Sequence, residues 1–98
     1  MTVVRHMIVQ GRVQGVGFRA FVEAEALKRG LEGWVRNRRD GSVEAVFAGN
    51  ETAVADMIEI SRQGPFGSQV TALRERAGSD ADFSLRAPGD VFSVLPTA

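Results

Sequence analysis

The sequence predicts an α+β plait, with two helices covering one face of an antiparallel sheet. Two observations predict it. Segments of strand-like and helical apolar period follow one another in the order strand, helix, hairpin, helix, strand. Glycine, proline and asparagine punctuate the joins between them.

The first strand runs from Val3 to Gln10, rich in β-branched residues and ended by Gly11. A helix over Arg19 to Arg29 follows, with Ala20, Ala24, Leu27 and Leu31 as its apolar stripe. Glu25 and Arg29 pair on the other side of that helix, and Gly30 stops it. Trp34 and Val35 form a short strand, and Asp40-Gly41 turns the chain into a third strand over Ser42 to Ala48. There Val43, Ala45 and Phe47 face inward while Ser42 and Glu44 face out. Asn50 caps the second helix, Val54, Met57 and Ile58 are its buried stripe, and Gly64-Pro65 ends it. Val70 to Ala77 is the fourth strand, and Phe83 to Arg86 a short extra strand beyond a turn at Gly78 to Ala81. This order is that of the ferredoxin-like βαββαβ plait. Residues 87–98, with Pro88-Gly89 and Pro96, fit no element and are expected to form a flexible C-terminal tail.

The chain of 98 residues is one domain's worth, and 44% apolar with 24% charged residues is ordinary globular composition. It contains no cysteine, which removes disulfides, thiolate metal sites and cysteine nucleophiles. Twelve basic and twelve acidic residues cancel, so no overall field draws the domain to nucleic acid or to an anionic membrane. Apolar runs such as Met7-Ile8-Val9 are far shorter than the roughly 20 residues of a membrane span. A cytoplasmic monomer is the expectation.

The segment with most chemical content is Gly11 to Arg19, GRVQGVGFR, which carries three glycines between a strand and a helix. Glycines let successive N–H groups turn toward one anion, and a helix N-terminus adds partial positive charge. Arg19 stands in the first helical turn, where its guanidinium can grip a phosphoryl group through two parallel hydrogen bonds. A tight turn with a solvated arginine would carry the same glycines. Gly15 to Ala20 also fits a dinucleotide-binding pattern with Asp40 downstream, but Asp40-Gly41 closes a hairpin where that fold needs a parallel crossover. The second such segment is Gly33 to Gly49, where Asn37 ends a strand. Asparagine at such a place commonly serves the turn itself. Its carboxamide can also hold a water by its oxygen and a phosphoryl oxygen by its nitrogen.

Both segments resemble the two signatures of the acylphosphatase family. The first matches in Val9, Gly11, Val13, Gln14, Gly15, Val16, Phe18 and Arg19, the second in Gly33, Trp34, Val35, Asn37, Gly41, Val43 and Gly49. The resemblance extends from residue 3 to about 86, with Phe83-Ser84-Leu85-Arg86 similar to the family's last strand. It implies the same plait. It implies hydrolysis of an acyl phosphate to carboxylate and inorganic phosphate, without metal or cofactor. Arg19 and the loop of Gly11, Arg12, Val13, Gln14, Gly15, Val16, Gly17 and Phe18 would bind phosphate, and Asn37 would orient water. The chemistry asks for little else, because the departing carboxylate has a conjugate acid of pKa about 4 and needs no strong general acid. His6, on the first strand beside Ile8, is expected on the sheet's surface, outside the site.

Two other classes fit the plait. An RNA-binding module would want exposed aromatics on the third strand, which offers only the inward Phe47. A carbamoyl-phosphate-handling domain, like those that begin hydrogenase-maturation proteins, would want a companion domain to receive its product.

Overall fold

In the computed structural model, which describes residues 1–98, the elements are β1 (Thr2–Arg12), α1 (Phe18–Lys28), β2 (Glu32–Asn37), β3 (Val43–Asn50), α2 (Glu51–Gln63), β4 (Gln69–Ala77), α3 (Asp80–Phe83) and β5 (Phe92–Val94). The sheet order is β4-β1-β3-β2-β5. β1 lies between β3 and β4, antiparallel to both, and β2 is antiparallel to β3. This is the ferredoxin-like plait, extended at one edge by β5, which runs parallel to β2.

One face of the sheet carries the apolar core. Met7 and Val9 of β1, Val35 of β2, and Val43, Ala45 and Phe47 of β3 meet Val54, Met57 and Ile58 of α2. From α1 the core receives Phe18, Val22 and Ala26, whereas Ala20, Ala24 and Leu27 of the expected stripe are exposed. Both stripes repeat every four residues or nearly so, and the one with the larger side chains fills the space over the sheet. The Glu25 carboxylate accepts from Arg29 Nη1 at 2.6 Å, as the helical spacing predicts.

The second face is covered too. β4 and β5 lie at opposite edges, four strand spacings or roughly 19 Å apart, so residues 78–91 must cross that face to join them. Ser79 and Asp82 form a capping box that starts α3 on the way, and Trp34 Nε1 donates to the Asp82 carbonyl at 2.7 Å. Beneath this crossing His6 is only 6% exposed, and its Nε2 meets Glu44 Oε2 at 2.7 Å. Arg36 Nε donates to the other Glu44 oxygen at 2.8 Å. Burial pushes the Glu44 carboxyl up, but hydrogen bonds from His6 and Arg36 outweigh it and hold it below the usual carboxylate range. His6 and Glu44 therefore sit on the helix-free face, as strand parity requires, but buried where an open surface was expected.

The C-terminal expectations are corrected in the same way. Phe83 to Arg86 forms no strand: the capping box turns it into the end of α3 and a bend. The short extra strand is Phe92–Val94, whose Phe-Ser-aliphatic pattern repeats that of Phe83-Ser84-Leu85 nine residues earlier. Nor are residues 87–98 a flexible tail. Phe92 is 5% exposed and stacks on Phe47, with ring centroids 5.9 Å apart. Leu95 N–H donates to Val35 O at 2.9 Å, Ala98 N–H to Asn37 O at 3.0 Å, and Arg39 N–H to Ala98 O at 2.8 Å. Burying one phenylalanine side chain contributes about 1.5–3 kcal/mol, which helps to hold so short a strand.

Candidate active site

The loop Val13–Gly17 joins β1 to α1 at the edge of the core. Gly15 (φ 74°) and Gly17 (φ 79°) adopt the left-handed conformation, and a Cβ at either would meet nothing within 4 Å. Glycine is needed there for backbone conformation and not for space. The result is a run of free donors: no backbone N–H from Gln14 to Ala20 bonds to a backbone carbonyl of the chain. Gly17 at the N-cap supplies no side-chain cap, and no acidic residue stands in the first turn of α1. The positive end of the helix dipole is left unopposed at the loop.

A cleft of about 310 Å³ opens at this point, lined by Gln14, Gly15, Gly17, Arg19 and Asn37 among others. Arg19 enters it from α1 and Asn37 from the end of β2. Arg19 forms no ion pair with any carboxylate of the chain. Loop and hairpin are tied by Gln14, whose Nε2 donates to the carbonyls of Arg38 (2.8 Å) and Ser42 (2.9 Å), on either side of the β2–β3 turn. That turn is fixed by Asp40, whose Oδ1 accepts from Ser42 N (2.9 Å) and Oγ (2.6 Å). These two bonds hold the Asp40 carboxyl below the usual range. Asn37 is thus held from both sides, by the clamped turn and by the C-terminal segment that donates to its carbonyl.

Sequence reasoning named eight loop residues. The structure brings Val13, Gln14, Gly15, Gly17 and Phe18 to the cleft together with Arg19 and Asn37. Gly11 and Arg12 are outside it: they end β1 and pair with Val70 and Gln69 of β4. The Val16 side chain packs against the core and does not line the cleft. Three lining residues were missed, Ala20, Glu23 and Val94. Glu23 stands one helical turn beyond Arg19, a spacing that could have found it; Val94 lay in the supposed tail.

A sequence profile of the family described as Acylphosphatase matches residues 5–84. The chain belongs to the acylphosphatase family. An acylphosphatase of Rhodopseudomonas palustris (strain BisB18) is 62% identical over 96 residues, covering 98% of this chain and 97% of that one. The crystal structure of acylphosphatase from Bacillus subtilis is 41% identical with a TM-score of 0.82, covering 97% of this chain and 99% of that one. An acylphosphatase structure from Coxiella burnetii is 31% identical with a TM-score of 0.83, covering 96% and 93%. As a member of this family the chain is a hydrolase acting on acyl phosphates. The similarity to the Bacillus subtilis structure covers more of the chain than the residues of the family profile.

Proposed function

We propose that the Gln14–Arg19 backbone N–H groups and the Arg19 guanidinium hold the phosphoryl group of an acyl phosphate, while Asn37 holds the attacking water. The observation that carries this reading is the run of unpaired N–H groups at an uncapped helix N-terminus, in a cleft shared with Arg19 and Asn37. An oxygen of water bonds to phosphorus as the phosphorus–oxygen bond to the acyl group breaks. The electron pair leaves with the carboxylate, and the water's proton passes to a phosphoryl oxygen or to solvent. A loose transition state of this kind spreads charge over the equatorial oxygens, which suits fixed N–H donors and one bidentate arginine. The carboxylate is a good leaving group, so neither a metal ion nor a general acid is called for. Products are a carboxylate and inorganic phosphate. The reading includes a monomeric, cytoplasmic enzyme with no nucleic-acid or membrane partner; the balanced charge gives no overall field toward nucleic acid or an anionic membrane, and no helix is long and apolar enough to cross a membrane.

Hydrolysis of benzoyl phosphate by the purified protein, with a metal chelator present, tests this reading. Asn37→Ala is expected to lower kcat by about 10²–10³, the usual cost of one transition-state donor, while phosphate inhibits as before. Arg19→Ala is expected to lower kcat/KM by a similar factor and also to weaken phosphate inhibition. Turnover that survives both substitutions would reject these roles.

A further inference from the structure

The phosphate loop cannot hold its own shape. Its N–H groups from Gln14 to Ala20 are left free for a ligand, so no backbone hydrogen bonds of theirs fix them relative to one another. Donors act on developing charge without reorganisation only when something else fixes them first. On the side of the β2–β3 hairpin that support is Gln14. On the other side of β1, toward β4, it is the connection between α2 and β4, residues 64–68.

This connection is a closed turn. Ser68 donates to the Pro65 carbonyl from both N (3.1 Å) and Oγ (2.6 Å), and Gly67 within it has φ 88°, which glycine adopts without strain. Phe66 at the tip is fully exposed, whereas Gly64 at the foot is wedged. A Cβ at Gly64 would lie 2.9 Å from Phe18 Cε2 and closer still to Ser68 Oγ. Neither neighbour is free to give way. The Phe18 ring is buried and meets the Phe21 ring edge-on, centroids 6.0 Å apart, and the Ser68 hydroxyl is committed to Pro65. The base of the loop is gripped in the same way: a Cβ at Gly11 would run into the carbonyl of Gln69, the residue that follows the turn, and come within 2.8 Å of Thr71 N. The turn and the start of β4 therefore abut both Gly11, just before the loop, and Phe18, just after it.

We propose that the 64–68 turn is the buttress of the phosphoryl site, and that Gly64 and Phe18 are positioning residues. The Gly64 backbone stops the Phe18 ring, and the ring sets where the N-terminus of α1 stands, and with it the Phe18 and Arg19 N–H groups. This rests on the phosphoryl-binding reading above. The two supports act on different quantities. Gln14 sets the distance between the donors and Asn37, whereas Gly64 sets the donors themselves, so disturbing Gly64 weakens phosphate binding and turnover together.

Phosphate inhibition of benzoyl phosphate hydrolysis, measured well below each variant's thermal midpoint, tests the buttress, with Gly64→Ala set against Gly67→Ala. Both put alanine at a positive φ in the same turn, and both are expected to lower the midpoint. Only at Gly64 does the new methyl meet the Phe18 ring, since nothing lies within 4 Å of a Cβ at Gly67. Gly64→Ala is expected to raise the phosphate inhibition constant and to lower kcat/KM, each by about tenfold, and Gly67→Ala to leave both unaltered. Phe18→Leu withdraws the ring from Gly64. It is expected to raise the inhibition constant too, and to make the added effect of Gly64→Ala smaller than that substitution has alone. An inhibition constant unmoved in Gly64→Ala, or moved equally in Gly67→Ala, would overturn the buttress; should Gly64→Ala not fold, an unmoved constant in Phe18→Leu does the same. If phosphate does not inhibit the intact protein at all, the phosphoryl reading itself falls. If it does and only the variants fail to shift it, that reading stands and the buttress falls.

Discussion

The N-termini of α1 and α2 face the same physical problem and solve it differently. Each helix begins with backbone N–H groups that have no partner within the helix. At α2 the chain supplies the partners: Asn50 Oδ1 accepts from Thr52 N at 2.9 Å and Ala53 N at 3.4 Å, and Glu51 adds negative charge to the first turn. At α1 it supplies none, since a left-handed glycine stands at the cap and the first turn has no acid. With glycine at the cap position, forgoing a side-chain cap costs only about a few tenths of a kcal/mol. α1 nevertheless folds because Phe18, Val22 and Ala26 are buried against the sheet, and packing, not capping, provides most of a short helix's stability. The difference teaches where this fold keeps its binding energy. Donors that α2 satisfies internally, α1 leaves for an anionic ligand.

The largest expected effect comes from making α1 resemble α2. Gly17→Asp puts a carboxylate at the open terminus, at a position where a Cβ meets nothing and where aspartate is among the side chains that tolerate a left-handed backbone. The helix N-terminus stabilises that charge by about 0.3–1 kcal/mol, partly offsetting the backbone cost. The same charge opposes a phosphoryl group. Activity on benzoyl phosphate is expected to fall by about 10²-fold, the order seen when one transition-state donor is lost, with the thermal midpoint little altered. Gly17→Asn, neutral and of the same shape, is expected to keep most of the activity that Gly17→Asp loses. If both substitutions inactivate equally, conformation and not charge is what α1 requires at this position.

Much of this contrast was legible in the sequence. Asn50 as a cap, the glycines before Arg19 and the Asp40-Gly41 turn each act through their own few residues, and the structure shows the cap and the turn as local chemistry implies. What was not legible depends on distant parts of the chain. Two stripes of α1 have helical period, and only the sheet's shape selects Phe18, Val22 and Ala26 over Ala20, Ala24 and Leu27. Phe83-Ser84-Leu85 and Phe92-Ser93-Val94 have the same local alternation; the choice falls on the second because the chain must first cross the sheet and because Phe92 reaches Phe47. The same crossing buries His6 and Glu44 and brings Val94 to the cleft. No local period records where a segment travels.

An intermediate effect is expected from Gln14, which ties the loop of α1 to the hairpin that carries Asn37. Gln14→Ala removes two hydrogen bonds, to Arg38 O and Ser42 O, without touching Arg19 or Asn37. The donors remain, but their distance to the held water is no longer fixed. Small misplacements cost heavily in near-attack geometry. A fall in kcat of about tenfold is expected, with phosphate inhibition less affected, because phosphate alone contacts only the loop half of the site. Equal losses in both would assign Gln14 to the shape of the loop itself.

The smallest effect sharpens the comparison from the other side. Asn50→Ala removes the α2 cap and leaves the Thr52 and Ala53 N–H groups to water, since the terminus is exposed. A loss of about 1 kcal/mol in unfolding free energy is expected, read as a fall of roughly 4–8 °C in thermal midpoint for a domain of this size. Turnover at a temperature well below that midpoint is expected to be unaltered, because α2 contributes no residue to the cleft. Saturating phosphate should then raise the midpoint of the intact protein and of Asn50→Ala by the same amount, since ligand linkage adds a term set only by affinity and concentration. If phosphate stabilised the Asn50→Ala protein more than the intact one, the bared terminus of α2 would itself be binding anions, and the side-chain cap would be what confines that property to α1.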